Sequence, residues 1–174
     1  LGFGTYAGSY GSKARRGQTG YLDAREMKTD PDGAFEIILS CREQPGNWLR
    51  MEPDTSSFIV RQTFQDRASE QIADLHLERQ LGAGPGTSAF PAPLTPAFLD
   101  RGLQAAAAYV QGTATIFADW AEGFAKAKNQ LPYFDPAIAA AAHGDPNIVY
   151  YHGYFELEED EALVIGLVPP RCEY

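Results

Sequence analysis

Between Asp30 and Arg67 the chain passes from turn chemistry into two runs of strand-forming residues on either side of an Asn47-Trp48 loop, and no other stretch limits its folds as tightly. Asp30-Pro31-Asp32-Gly33 is a reversal, with proline fixing one φ and glycine supplying a positive one. A strand is expected over Ala34 to Ser40. Phe35, Ile37 and Leu39 alternate there with Glu36, Ile38 and Ser40, the period of a half-buried strand. Pro45-Gly46 breaks it. The run Ser57 to Phe64, rich in β-branched and aromatic residues, predicts a second strand. Trp48 in the loop offers a large apolar body and one N–H donor, so it either plugs the end of a core or lines a pocket.

The pattern Asp32-Gly33-x-Phe35, Gly46-Asn47-Trp48-Leu49, Pro53, then Phe58-x-Val60-Arg61-x-x-Phe64 resembles a bacterial domain of unknown function, DUF 1214. That family commonly accompanies a second β-rich domain, DUF 1254. The resemblance implies an antiparallel β-sandwich of jelly-roll type with helical insertions, and a buried arginine at the position of Arg61. It supplies no catalytic residue, so it speaks to fold rather than to activity.

Three zones follow along the chain. Residues 1–86 are strand-rich, with strands expected at Gly2 to Tyr10, Thr19 to Leu22 and Ile72 to Arg79 besides the two above, and Gly82 to Gly86 reads as a linker. Residues 87–146 are helical. Thr95 is an N-cap followed by Pro96, and Leu99, Leu103, Ala106, Val110, Phe117, Trp120 and Phe124 recur at threes and fours, so one long amphipathic helix is predicted to about Lys126, bent near Gly112. A short helix from Asp135-Pro136 through Ala142 ends at His143-Gly144. Residues 147–174 are expected to form a hairpin, Ile148 to Leu157 and Ala162 to Val168 about an acidic turn, with Leu163, Ile165 and Leu167 pinned to a core. The fold class is α+β: antiparallel, sandwich-like or jelly-roll-like sheets with a long helix inserted between two β segments. Starting on Leu1 within an apparent strand and stopping at Cys172-Glu173-Tyr174, the chain reads as an internal piece of a longer protein.

At 174 residues the chain can build one ordinary core. Its net charge of −9 argues against nucleic acid and anionic membrane as partners, because phosphate binding needs clustered Lys and Arg. The cluster Lys13 to Arg16 is read as a solvated loop. No run of about 18 apolar residues predicts a membrane span. Cys41 and Cys172 sit in no metal or redox spacing and read as free thiols. The compartment stays open, a cytoplasmic one being favoured.

Several residues could carry chemistry. Asp74, His76 and Glu78 alternate with Leu75 and Leu77, so as a strand they would share one face, either as weak metal ligands or as a wet edge. In Tyr150 to Glu156 the same period places Tyr150, His152, Tyr154 and Glu156 together, as a polar aromatic ligand face or as packing with polar tips. The opening Gly2-Phe3-Gly4-Thr5-Tyr6-Ala7-Gly8 is not followed by a βαβ unit, so its glycines are read as sites of bulging or close strand approach rather than a dinucleotide loop. No nucleophile elbow, Walker loop or zinc-protease motif occurs, and no cofactor is expected.

Three functions remain open from the residues. The favoured one is a noncatalytic β-sandwich module of a larger protein that binds a small ligand or a partner chain. Another is an enzyme acting on a hydrophobic or aromatic small molecule, with His152 or His76 as acid/base and Trp48 or Tyr150 as walls. The last is an assembly protein whose Ala-rich helix face makes a homo-oligomer.

Overall fold

A computed structural model describes residues 1–10, 16–80 and 93–168. Strand β1 (Gly2–Ala7) lies at the centre of a three-stranded antiparallel sheet between β2 (Gly17–Asp23) and β5 (Thr55–Arg61). Every residue of β1 is buried. Two further strands, β3 (Ile38–Ser40) and β4 (Trp48–Arg50), pair in parallel as a separate two-stranded sheet. Both sheets are small and open.

The two faces of β1 have different chemistry because successive side chains alternate. Phe3, Thr5 and Ala7 point to one face. There Phe3 meets Phe35 edge-on at 5.7 Å and stacks on Phe58 at 6.4 Å, and β4 packs across β1 and β2 with Leu49 fully buried. Burial of such a side chain stabilises the fold by about 1.5–3 kcal/mol. Polar groups on this face are threaded into one chain of hydrogen bonds. The Glu52 N–H donates to Thr55 Oγ1 (2.8 Å), Thr55 to Thr19 (2.8 Å), Thr19 to Thr5 (2.9 Å), and Thr5 to the Arg50 carbonyl (2.7 Å). Each hydroxyl both accepts and donates, so β1, β2, β4 and β5 are joined without an orphaned group in the series.

On the opposite face stand Gly2, Gly4 and Tyr6. A Cβ on Gly4 would lie 2.4 Å from the Tyr6 hydroxyl, and one on Gly2 would lie 2.5 Å from that of Tyr21. The glycines therefore let two phenol rings lie against the sheet, the close approach expected from their spacing. Register shifts between Thr5 and Tyr6 and between Tyr6 and Ala7 add the expected irregularity.

Helix α1 (Pro96–Ala125) starts where the sequence predicts, with Thr95 Oγ1 accepting from the Phe98 N–H at 3.2 Å, and runs unbroken past Gly112. None of its side chains is buried. Helix α2 (Pro136–Ala141) is capped by Asp135, whose carboxylate accepts from the Ala137 N–H at 2.8 Å. The chain is thus α+β, with an antiparallel sheet and one long helix, and no helix among the described residues is long and apolar enough to cross a membrane.

Four expectations about elements are corrected. Ala34 to Ile37 is not strand, because its polar backbone bonds elsewhere: the Ala34 carbonyl accepts from Asp30 N at 2.8 Å and that of Glu36 from Asn47 Nδ2 at 3.0 Å. Trp48 belongs to β4 rather than to a loop. Ile72 to Arg79 has no strand neighbour among the described residues; the Ala73 N–H donates to the Gln62 side chain, and Leu75 and Leu77 are both exposed. The 148–168 segment forms no hairpin. Its first half makes isolated bridges to residues 128–133 instead, leaving Leu163, Ile165 and Leu167 exposed rather than pinned to a core. The linker at Gly82 to Gly86, Lys13 and Cys172 lie outside the described residues.

Candidate functional site

The polar side chains that converge do so on the glycine face of the sheet, where the end of α2 crosses it. Tyr6, fully buried, accepts a hydrogen bond from Arg61 Nη1 at 2.9 Å. Arg61 Nη2 donates to the His143 carbonyl, and the His143 ring stacks on that of Tyr6 at 4.8 Å. No carboxylate pairs with Arg61 among the described residues.

His143 owes its place to the way α2 stops. The Gly144 N–H donates to the Ala139 carbonyl (2.7 Å) and the His143 N–H to that of Ala140 (3.1 Å), the two bonds of a Schellman end. The left-handed residue of that motif is ordinarily glycine, yet His143 occupies it with φ 63°. Holding a side chain there costs about 1–2 kcal/mol, offset by what the ring does. It lies between Tyr6 and Tyr10, with Nε2 3.3 Å from the Ala7 carbonyl. Burial lowers the pKa of His143, the Ala7 contact opposes that shift, and the positive charges of Arg16 and Arg61 add to it. A neutral ring donating Nε2–H to Ala7 satisfies these surroundings, which assigns the lone pair to Nδ1.

Further along the same face, buried Asp145 accepts from the Tyr21 hydroxyl at 3.3 Å and from the Asn147 N–H at 2.9 Å. Asn147 Nδ2 donates to the Tyr21 oxygen at 3.1 Å. Burial raises the Tyr21 pKa, the Asn147 bond lowers it, and the charges of Asp145 and Asp23 raise it, so the phenol remains a donor.

From Tyr10 a line of rings leaves the sheet for the helices. Tyr10 meets Phe117 at 6.1 Å, Phe117 meets Trp120 at 5.4 Å, and Trp120 meets Phe134 at 5.7 Å. Beside it a cleft of about 220 Å³ opens between α1 and α2, lined by Arg16, Ile116, Asp119, Trp120, Ile138 and Ala142.

With this geometry in place, one likeness stands out. The chain is similar to an uncharacterized protein from Burkholderia cenocepacia. The crystal structure of that protein matches 91% of this chain at 45% sequence identity and a TM-score of 0.82, and this chain spans 43% of that protein's length. No protein-family model and no curated protein matches the chain.

The residues singled out from sequence fall in three separate places. Tyr150 and His152 are together, ring centroids 6.1 Å apart, and His152 is packed between Phe124 (4.9 Å, parallel) and Phe134 (4.4 Å), its Nδ1 buried without a partner. Tyr154 contributes its carbonyl to Asn129, and Glu156 pairs with Lys128 at 2.6 Å. Trp48 is in β4, where its indole N–H donates to the Ser40 carbonyl and hydroxyl, both at 3.1 Å. Asp74 and His76 approach to 3.7 Å on an exposed segment, with Glu78 nearby in sequence, and among the described residues no group of three ligands is gathered. Sequence reasoning did not assemble Tyr6, His143, Arg16 and Asp119. One signal for His143 was available, a non-glycine residue followed by Gly144 at a helix end.

Proposed function

We propose that this chain is a noncatalytic β-rich module of a larger bacterial protein, and that the apolar face of α1 seats on further polypeptide of that same protein. The observation that carries this reading is a thirty-residue helix with no buried side chain. Leu99, Leu103 and Val110, which share one face of the helix, are 50, 62 and 68% exposed, and contiguous apolar surface of this kind marks an interaction site. Further support comes from the 43% share of the Burkholderia protein's length that the chain spans. The resemblance to DUF 1214 fits the same reading, in which the two open sheets become part of a jelly-roll sandwich. A histidine acid/base has less support, since His152 is enclosed by phenylalanine rings and Glu156 is engaged by Lys128.

Hydroxyl-radical footprinting of the complete protein tests the proposal at Leu99, Leu103 and Val110. Protection that is unchanged on dilution is expected. Protection that disappears on dilution would instead assign the face to a second copy, and full labelling in a monomer would overturn the reading.

A further inference from the structure

The cleft between α1 and α2 has walls of mixed character. Ile116, Trp120 and Ile138 are apolar, whereas Arg16 and Asp119 bring one positive and one negative charge to the same small space. Among the described residues the ion pairs are Arg25–Asp23, Arg50–Glu52, His76–Asp74 and Lys128–Glu156, and neither Arg16 nor Asp119 takes part in one. Opposite charges that line one cleft without meeting leave room between them for a molecule carrying both complements.

We propose that this cleft binds a small zwitterion with an apolar tail, an α-amino acid with an aliphatic or aromatic side chain being the simplest instance. Its carboxylate meets the Arg16 guanidinium, whose planar fork suits bidentate contact. Its ammonium meets Asp119, and the tail lies against Trp120 and the two isoleucines. The volume agrees with that size. About 220 Å³ lies below the range of about 300–1,000 Å³ usual for larger ligands.

The charge pair also selects against simpler ions. An apolar carboxylate without an ammonium would face the Asp119 charge uncompensated, and an amine without a carboxylate would face Arg16, so discrimination arises from repulsion as well as attraction. The walls are held before any ligand arrives. Trp120 is fixed edge-on between Phe117 and Phe134, and the carbonyl of Ala142 accepts from the Tyr10 hydroxyl at 3.5 Å. Such preorganisation reduces the ordering cost of binding. The proposal is independent of what covers α1, because it rests on the side that α1 turns toward α2.

Isothermal titration calorimetry on the complete protein tests it with L-leucine and L-phenylalanine. The same titration is run with 4-methylpentanoate, which lacks the ammonium of leucine, and 3-methylbutylamine, which lacks the carboxylate. Binding of an amino acid is expected, with each truncated analogue weaker by about tenfold or more, the usual effect of losing one charge-assisted contact. Arg16→Gln and Asp119→Asn should each weaken the amino acid by a similar factor while leaving the melting temperature unchanged. Absence of binding by both amino acids, equal binding of leucine and its two analogues, or unaltered binding by both variants would overturn the proposal. The analogue series uses the unmutated protein, so it decides the matter even if a variant misfolds.

Discussion

Arg61 and Tyr6 lie 55 positions apart in sequence, yet the guanidinium donates to the phenol at 2.9 Å and sits 5.8 Å from the centre of its ring. The contact adds a side-chain tie on the glycine face to the backbone pairing of β5 with β1. It also turns Arg61 toward the carbonyl of His143, so one side chain ties the sheet to the end of α2.

Replacing Arg61 by Met keeps much of the apolar stem and leaves the Tyr6 hydroxyl buried without its donor. Stability should fall by about 1–3 kcal/mol. Tyr6→Phe removes the acceptor at a cost of about 1 kcal/mol. In a double-mutant cycle followed by urea denaturation, the pair should lose less than the sum of the two single changes. Strict additivity would mean that the hydrogen bond contributes nothing.

Thr19 stands in the middle of the hydroxyl series from Glu52 to Arg50. Thr19→Val preserves shape but leaves Thr55 without an acceptor and Thr5 without a donor. A loss of about 1–3 kcal/mol is expected, whereas Ser56→Ala, which removes one exposed hydroxyl bond to the Gly8 carbonyl, should cost less. Thermal denaturation of the two variants side by side measures the difference.

Gly20 and Gly102 should respond in opposite directions to alanine. At Gly20 the added Cβ would lie 2.2 Å from the Arg50 carbonyl oxygen, a backbone atom that cannot swing aside, so Gly20→Ala should destabilise by about 1–3 kcal/mol. At Gly102 nothing lies within 4 Å, and Gly102→Ala in the helix should stabilise by about 0.5–1 kcal/mol. Denaturant midpoints of the two variants against the parent check both signs.

The lowered pKa of folded His143 makes a pH dependence. In the unfolded chain an imidazole takes its proton near pH 6.5, while the folded ring, desolvated and facing Arg16 and Arg61, resists it until lower pH. Between those two points the unfolded state binds more protons, so stability falls as pH falls, and the slope ends once the folded ring is protonated too. Urea midpoints measured from pH 7.5 to 5 should drop less in His143→Asn, a residue that tolerates the left-handed backbone.

Local signals carried much of the helical structure into view. Thr95-Pro96 and Asp135-Pro136 each announce a helix start through cap chemistry contained within four residues, and both helices begin there. The glycines of β1 were equally readable, since close approach is a property of the residue itself. Alternation misled at Ile72 to Arg79 because a strand exists only where a neighbour takes its hydrogen bonds, and a single run does not name its neighbour. Parallel pairing of β3 with β4 was hidden for the same reason. The glycine-face cluster was less legible still: Tyr6, Arg61 and His143 come from three distant segments, and only the folded backbone brings them together. Arg16 belonged to a cluster read as a solvated loop, and only the fold brings it into one cleft with Asp119 of α1.

The central position of β1 bears on how this chain is made. Its two partners arrive at different times, β2 almost at once and β5 only after residues 24–61 have followed. At about 5–20 residues per second, the newborn β1–β2 hairpin spends roughly two to eight seconds with one side of its innermost strand unpaired. During that interval Phe3 and Tyr6 are displayed on an open template for any other nascent strand. The ribosome-bound chain is therefore most exposed to mispairing before Arg61 emerges, and slowing synthesis within residues 24–61 should lower its yield more than slowing it within α1.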